Sequence, residues 1–544
     1  MKNDWYKDLV VYQIYPRSFM DSNNDGIGDL KGIISKLDYI KSLNVNAIWL
    51  SPVYLSPFKD NGYDISSYKD VSPVFGTNED LKELFDGIHK RGMKIIMDLV
   101  INHTSDEHMW FKESSKSRDN EYSDYYIWAD GKDGKEPNNW ESCFGGSAWC
   151  YVKERGQYYL HLFSKGQPDL NWNSPKVKKD VFDMVRWWCE AGVDGFRVDA
   201  ISYLEKAPFD YSPNKPNAMG YSFCMDICSG REKTHSIIKE LREIFDEYNV
   251  MSVGEVCVSS PEELYKYSSE SRKEFNMAIP FVPPVVEVDT WSVSKMRADI
   301  KASYEILKAD GCWARFLSNH DKPRQVSLYG DDKEYWKESA KLLAMVTHLL
   351  PGTPFIYQGE EIGMTNIYYP NLNLYNDIDT KNFYDHEIAE GKSEEEAFNR
   401  SRLISRDNAR SPMQWNSTIN AGFSKNTPWL GVNENYTKIN VEIEDNDSTS
   451  ILNFYRKLIS LRLSNEVLRR GNLEFLFETS PTTFAYKRVL GNEEFVIISN
   501  FSAKTETIDF PFTDYSILLN NYNDNKDNQS NTFMPYEAVL LKRK

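Results

Sequence analysis

No apolar run in this chain approaches the about 20 residues that a membrane-spanning helix needs. The first residues, Met1-Lys2-Asn3-Asp4-Trp5, lead into no apolar signal core. Neither a membrane partner nor a secretory route is therefore expected. Cysteine is sparse: seven in 544 residues, an odd number without framework spacing. That excludes a disulfide scaffold and makes a reduced, cytoplasmic setting the expectation. Cys224 and Cys228 lie four apart and read as incidental thiols. Positive charge is in deficit, with 64 Lys and Arg against 81 Asp and Glu and a net charge of −17. Nucleic acid, which is bound by neutralising phosphate with Lys and Arg, is excluded as a partner. No glycine-rich phosphate loop follows an early strand, which counts against a doubly wound nucleotide fold. No paired-histidine helix motif marks a zinc site.

Apolar residues, by contrast, make up 41% of the chain and aromatics 14%. That is enough for a large core, and the aromatics can fill that core or line a pocket, so by themselves they decide nothing. Apolar β-branched runs alternate with helical patterns, the mark of a parallel α/β architecture. The strand-like runs are Leu9–Tyr15, Val45–Leu50, Lys94–Val100, Gly192–Val198, Val250–Gly254, Phe275–Phe281, Ala314–Ser318 and Pro354–Gln358. Helical patterns cover Leu30–Leu43, Glu79–Lys90, Lys176–Glu190, Ser236–Glu247 and Tyr335–Leu350. Eight such units predict a closed (β/α)8 TIM barrel.

Two intervals break this rhythm. Ile101 to about Asn173 lacks a strong helix and is dense in Gly, Asn, Trp and Tyr, as a small inserted domain would be. Glu361 to about Asn426 is a second excursion, with a helical stretch near Ser393–Ile404. Beyond Arg470 the pattern alternates, over Thr483–Arg488, Phe495–Asn500 and Ala538–Leu541, which predicts an antiparallel β domain. The expected division is a barrel over 1–102 and 174–470, an inserted domain over 103–173, and a C-terminal domain over 471–544.

Active sites of such barrels lie where the strands end. Asp98 closes strand three, with Asn102 and His103 beyond it. Arg197-Val198-Asp199 closes strand four, Glu255 strand five, and Asn319-His320-Asp321 strand seven. Singly, each acid is explained as well by a helix cap or a turn. Together they deliver carboxyls, Arg and His to one face. Arg197 and Asp199, two apart on a strand, share a side, and an Arg beside a carboxylate keeps it ionised. A pair of carboxyls across a pocket is the machinery of glycoside hydrolysis. His103 and His320 can equally be satisfied core or loop residues.

These segments resemble family thirteen of the glycoside hydrolases, the α-amylase superfamily, and within it the oligo-1,6-glucosidase and α-glucosidase group. The likeness is carried in order by Gln13-Ile14-Tyr15-Pro16-Arg17-Ser18-Phe19, Asp60-Asn61-Gly62-Tyr63-Asp64 and Asp98-Leu99-Val100-Ile101-Asn102-His103. It continues through Gln167-Pro168-Asp169-Leu170-Asn171-Trp172, Gly195-Phe196-Arg197-Val198-Asp199, Gly254-Glu255 and Asn319-His320-Asp321. It ends at Arg406-Asp407-Asn408-Ala409-Arg410-Ser411-Pro412-Met413-Gln414-Trp415. The resemblance implies an exo-acting retaining α-glucosidase on short oligosaccharides. Asp199 would be the nucleophile, Glu255 the general acid/base and Asp321 a third carboxylate on the sugar hydroxyls. An acid must hold its proton near neutrality, so Glu255 is expected to carry the higher pKa of the pair. Asp60, Tyr63, His103, Phe144, Phe163, Gln167, Arg197, Ala200, His320 and Arg410 match substrate-pocket positions. Phe144 and Phe163 serve equally well as packing of the inserted domain. No cofactor is implied for catalysis.

The resemblance also implies a structural Ca²⁺ near Asp21, Asn23, Asp25, Ile27 and Asp29. Their alternating oxygen ligands suit a hard cation, although the twelfth position of an EF-hand loop counted from Asp21 is Gly32, not Glu. In this group Val after the nucleophile accompanies α-1,6 preference, and smaller or hydroxylated residues accompany α-1,4. Ala200 leaves that linkage open. A sucrose or maltose specialist stays among the alternatives. Trehalose 6-phosphate needs a cationic cradle, and Lys206 is the only basic residue in Ile201–Pro213. The loop Lys322-Pro323-Arg324-Gln325-Val326 is not the arginine-rich loop of sucrose isomerases. A non-catalytic homologue would carry a membrane anchor and lack some of the three acids, which are all present. The expected oligomeric state is a monomer or weak oligomer.

Overall fold

Eight parallel strands alternate with helices through the first two-thirds of the chain. They are β1 (Val11–Ile14), β2 (Ala47–Leu50), β3 (Lys94–Val100), β4 (Gly195–Asp199), β5 (Met251–Val256), β6 (Met277–Pro280), β7 (Ala314–Arg315) and β8 (Thr353–Tyr357). Each pairs with its sequence neighbour, and β1 also pairs with β8. A parallel bridge between Ala278 and Trp313 joins β6 to β7 and closes the ring. The structure, a computed structural model, describes residues 4–212, 215–282, 284–522 and 530–544; Pro213 lies outside them.

The period of two along each strand builds the site. Val11, Ala47, Ile96, Val253 and Phe355 pack inside the barrel, while Tyr12, Ile48, Ile95 and Phe196 join the layer under the helices. One step of two beyond Val11, Ala47, Ile96 and Val253 come Gln13, Trp49, Asp98 and Glu255. On β4, Gly195, Arg197 and Asp199 follow the same face. The C-terminal ends of the strands thus fill with polar groups without any break in the pattern. Gly254 is required by close approach, since a Cβ there would stand 2.4 Å from the Phe275 ring.

The outer helices follow from capping and spacing. Asn78–Lys90 starts at Thr77, whose hydroxyl accepts from the Asp80 N–H while the Asp80 carboxylate accepts from the Thr77 N–H. Its buried residues, Leu81, Leu84, Phe85 and Ile88, fall at helical spacing. Leu30–Leu43, expected as one helix, is two, Leu30–Ser35 and Leu37–Ser42, separated at Lys36 with φ −109° and ψ 6°.

The inserted segment after β3 carries a three-stranded antiparallel sheet of Trp128–Ala129, Gln157–Leu160 and Trp149–Val152. Lys206 ties it to the barrel. Its Nζ lies 2.8 Å from Asn102 Oδ1 and 3.1 Å from Asp169 Oδ1, and it also donates to the Tyr203 carbonyl. The second excursion, after β8, contains the helices Ile378–Ala389 and Glu394–Ile404 and the short turn of helix Asp407–Arg410, of which the sequence pattern indicated only Glu394–Ile404. At the C-terminus β9 (Asn472–Leu476), β10 (Thr483–Leu490), β11 (Glu493–Asn500), β12 (Tyr515–Asn520) and β13 (Ala538–Arg543) form an antiparallel sheet in the order β9-β10-β11-β13-β12. Among the described residues, no helix is long and apolar enough to cross a membrane.

Candidate active site

Arg197 is fully buried and is the hub of the barrel mouth. Register sets it directly beside Asp98 on β3. Its Nη1 donates to Asp98 Oδ1 at 3.0 Å and to Asp199 Oδ1 at 2.6 Å, and its Nη2 donates to Glu255 Oε1. One planar guanidinium therefore spans the carboxyls at the ends of three adjacent strands. The Tyr63 hydroxyl (2.9 Å) and the Trp49 indole N–H (3.2 Å) donate to the second Asp98 oxygen. The Ala200 N–H donates to Glu255 Oε2 at 3.3 Å from a left-handed conformation, φ 46°. A non-glycine residue held there stores strain, which surrounding contacts must hold in place.

A second knot surrounds Asp321. His320 Nε2 lies 2.9 Å from its Oδ2, and Arg410 Nη2 donates to its Oδ1 at 2.7 Å. Gln13 fixes His320 from the other side, with Nε2 2.8 Å from Nδ1. The His320 ring stacks on Tyr63, with centroids 5.2 Å apart. Arg406 reaches Asp321 at 3.5 Å and Asp60 at 3.4 Å, and its Nε donates to Asp377 at 2.9 Å. Gln167 donates to Asp60 at 3.0 Å and stands 3.1 Å from His103 Nε2. Phe163 packs on His103 and Phe144 on Phe163, and the Arg406 guanidinium lies 5.1 Å from the Phe144 ring centre. The thirteen residues singled out for catalysis and substrate binding thus lie in one connected network around this mouth.

Electrostatics separates the acids. Burial alone would raise Asp321, yet His320, Arg410 and Arg406 hold it well below the usual carboxylate range. Burial pushes Asp199 well above that range, with Arg197 opposing and Glu255 adding to the push. On Asp199 it is the bonded Arg197 guanidinium that favours the carboxylate against the push of burial. Burial also lowers His103, keeping its imidazole neutral.

A sequence profile of the alpha-amylase catalytic domain matches residues 13–471. The chain belongs to the alpha-amylase family. It is 46% identical over 562 aligned residues to an oligo-1,6-glucosidase of Parageobacillus thermoglucosidasius, covering 100% of this chain and 99% of that one. An oligo-1,6-glucosidase of Bacillus cereus is 45% identical, with both chains covered completely. The isomaltulose synthase of Klebsiella sp. LX3 superposes with a TM-score of 0.94 at 40% identity and 99% coverage of each chain. As an alpha-amylase family member the chain is a glycoside hydrolase, and its chemistry requires no catalytic cofactor.

In this alpha-amylase family barrel, sequence reasoning quoted Arg406 within a motif and gave it no role. Its partners Asp60, Asp321 and Asp377 come from three distant segments, so only the fold brings them together. Asp98 is legible at its strand end, and Gln13 and Trp49 follow by stepping two residues past Val11 and Ala47. The acidic loop satisfies itself. Asp21 accepts from the N–H groups of Asn23, Asn24 and Gly26, Asp25 from that of Ile27, and Asp29 from Ser22 and Gly32. Among the described residues no group of three His, Cys, Asp or Glu is gathered to hold a metal.

Proposed function

We propose that the chain is an exo-acting retaining α-glucosidase that removes terminal glucosyl units from short oligosaccharides. The observation that carries this reading is the Arg197 bridge between Asp199 and Glu255. Carboxyl oxygens bonded to the two ends of one guanidinium are close neighbours, which favours the separation of about 5–5.5 Å used by retaining enzymes over the longer inverting one. Glu255 donates its proton to the glycosidic oxygen as the Asp199 carboxylate attacks the anomeric carbon. The C–O bond breaks and the aglycone leaves as an alcohol. Water then attacks the glucosyl ester, gives its proton to Glu255 and frees Asp199. Asp321, held as an anion, accepts from the ring hydroxyls. Asp60 and the paired Arg406 and Arg410 close the far end, which makes the action exo. Tyr63, Phe144 and Phe163 supply apolar faces that exclude water.

Two alternatives lose support. Lys206, the cation available for a phosphate on the leaving group, is 4% exposed and already bonded to three oxygens. After Asp321, Lys322 pairs with Glu287 at 2.6 Å, and Arg324 donates to the carbonyls of Gln358, Asn408 and Ala409. That leaves simple hydrolysis as the preferred outcome. All seven cysteines are free, which suits a reducing cytoplasm.

Asp199→Ala should lower turnover of p-nitrophenyl α-glucoside at least about a thousandfold with an unchanged circular dichroism spectrum; near-normal turnover would remove the assignment. Proton NMR of the first product should show the α anomer. Initial rates on isomaltose, maltose and sucrose decide the linkage that Ala200 leaves open. We also propose Ca²⁺ at the Asp21–Asp29 loop, where carboxylate, amide and the Ile27 carbonyl oxygens are hard donors. A chelator should then lower the melting temperature by a few degrees, equivalent to about 1 kcal/mol. An unchanged melting temperature argues against the ion.

A further inference from the structure

Arg406 meets the sugar-facing acids of the mouth only at long range. Its Nη2 stands 3.4 Å from Asp60 Oδ1 and its Nη1 3.5 Å from Asp321 Oδ1, both at the outer limit of a hydrogen bond. A guanidinium and a carboxylate ordinarily close to about 2.7–2.9 Å. The carboxylate that does so here is Asp377. Its Oδ1 accepts from Arg406 Nε at 2.9 Å and lies 2.7 Å from Nη2. The Nε–Nη2 edge thus faces the start of the helix Ile378–Ala389, while the Nη ends reach toward the mouth.

The Asp377 side chain is fully buried and its oxygens are already engaged. Oδ2 accepts from the Thr380 hydroxyl at 2.8 Å and from the Arg406 backbone N–H at 3.2 Å. Oδ1 accepts from the Asp379 N–H at 3.1 Å as the cap of the helix. Asp407 answers from the other segment, accepting from the N–H groups of Asn376 at 2.6 Å and Asp377 at 3.1 Å. Further along, Asn382 Nδ2 anchors the helix by donating to the Phe144 carbonyl at 2.7 Å. A carboxylate fixed from this many sides cannot follow Arg406, so Arg406 stays with it. Burial pushes the Asp377 carboxyl up, and Arg406, followed by Arg410, reverses this and keeps it an anion.

A carboxylate that binds sugar hydroxyls must keep oxygen lone pairs open to them. An arginine free to close on Asp60 or Asp321 would occupy those lone pairs and compete with the substrate. We propose that Asp377 is a positioning residue that tethers Arg406 short of Asp60 and Asp321, so that both carboxylates stay open to the hydroxyls of the terminal sugar. The inference rests on the α-glucosidase reading. Asp377 makes no contact with substrate in it, and its effect runs through Arg406 alone. A clasp that only joined two segments would stabilise the fold and leave sugar affinity as it was.

The test is kcat and KM of the full chain on p-nitrophenyl α-glucoside. Asp377→Asn keeps the shape and removes the charge that holds the guanidinium. KM should rise about tenfold, with kcat within about threefold of wild type. Thr380→Val, which removes one donor to Asp377, should raise KM about two- to threefold. In an Arg406→Met background, adding Asp377→Asn should change kcat/KM by less than about twofold, because the tether then holds nothing. A crystal structure of Asp377→Asn should place Arg406 about 2.8 Å from Asp60 or Asp321. Arg488→Met, which loosens the fold away from the mouth, should leave KM unchanged. An unchanged KM in Asp377→Asn, or an equal fall in kcat/KM with and without Arg406, would overturn the tether. Should that variant not fold, an unchanged KM in Thr380→Val overturns it. Each of these results leaves the enzyme reading intact. Absence of hydrolysis by the wild type would overturn the α-glucosidase reading, and this inference with it.

Discussion

Two sets of buried arginines stand at opposite ends of this molecule and do different things. At the barrel mouth Arg197, Arg406 and Arg410 bond carboxylates. Burial disfavours their charge, but the surrounding acids keep each above its ordinary pKa. At the junction with the C-terminal domain, Arg488 donates to the carbonyls of Leu349, Leu468 and Gly471, and Arg462 to those of His348, Leu350 and Gly352. Their direct partners there are carbonyl dipoles, and burial lowers the two to about 10 and about 9. Arginine on carboxylates stores anions for chemistry; arginine on carbonyls closes chain ends and joins domains. Burial alone does not distinguish them, and the partner does.

The largest effect should come from the mouth. Arg197→Met should lower kcat per folded molecule by about 10²–10³-fold or more, equivalent to roughly 3–4 kcal/mol of transition-state stabilisation. Wild-type turnover in that variant would break the distinction. Next, Arg488→Met should reduce the free energy of unfolding by about 3 kcal/mol, because three buried carbonyls lose their donor, while kcat per folded molecule holds. Denaturant melts read together with active-site titration check both halves, and a loss of kcat without a loss of stability would merge the two classes.

The smallest effect sharpens the rule from the acid side. Glu360, just past β8, accepts from the hydroxyls of Ser318 and Tyr455 rather than from an arginine. Burial raises it from 4.5 to about 7. The folded protein therefore holds this proton more tightly than the unfolded chain. That stability is full below pH 4.5 and is lost as pH rises through about 7. Glu360→Gln should flatten the decline and recover about 2 kcal/mol above neutrality. A melting curve with the wild-type slope between pH 5 and 8 would count against it.

Strands were the most legible part of the chain. Lys94–Val100 appears with both boundaries as read from its apolar run, because a strand inside a parallel barrel is apolar on both faces. The helix Ile378–Ala389 was not legible, since Ile378, Phe383 and Ile388 are five apart and gather on no single stripe. The acids of the mouth were visible as residues and ambiguous as functions until several strand ends were taken together. The part played by Arg406 was invisible because its partners Asp60, Asp321 and Asp377 come from segments that meet only across the mouth.

Lys206 carries a last consequence. An ammonium bonded to Asn102, Asp169 and the Tyr203 carbonyl occupies the kind of oxygen nest that elsewhere holds an ion. Here the cation is covalently attached to the chain. It has no dissociation constant, its local concentration is fixed by its own stem, and neither dilution nor a chelator can strip it. The junction between barrel and insert is therefore insulated from the ionic composition of the surrounding fluid. Lys206→Met should expose that insulation as a new sensitivity of the insert to protease.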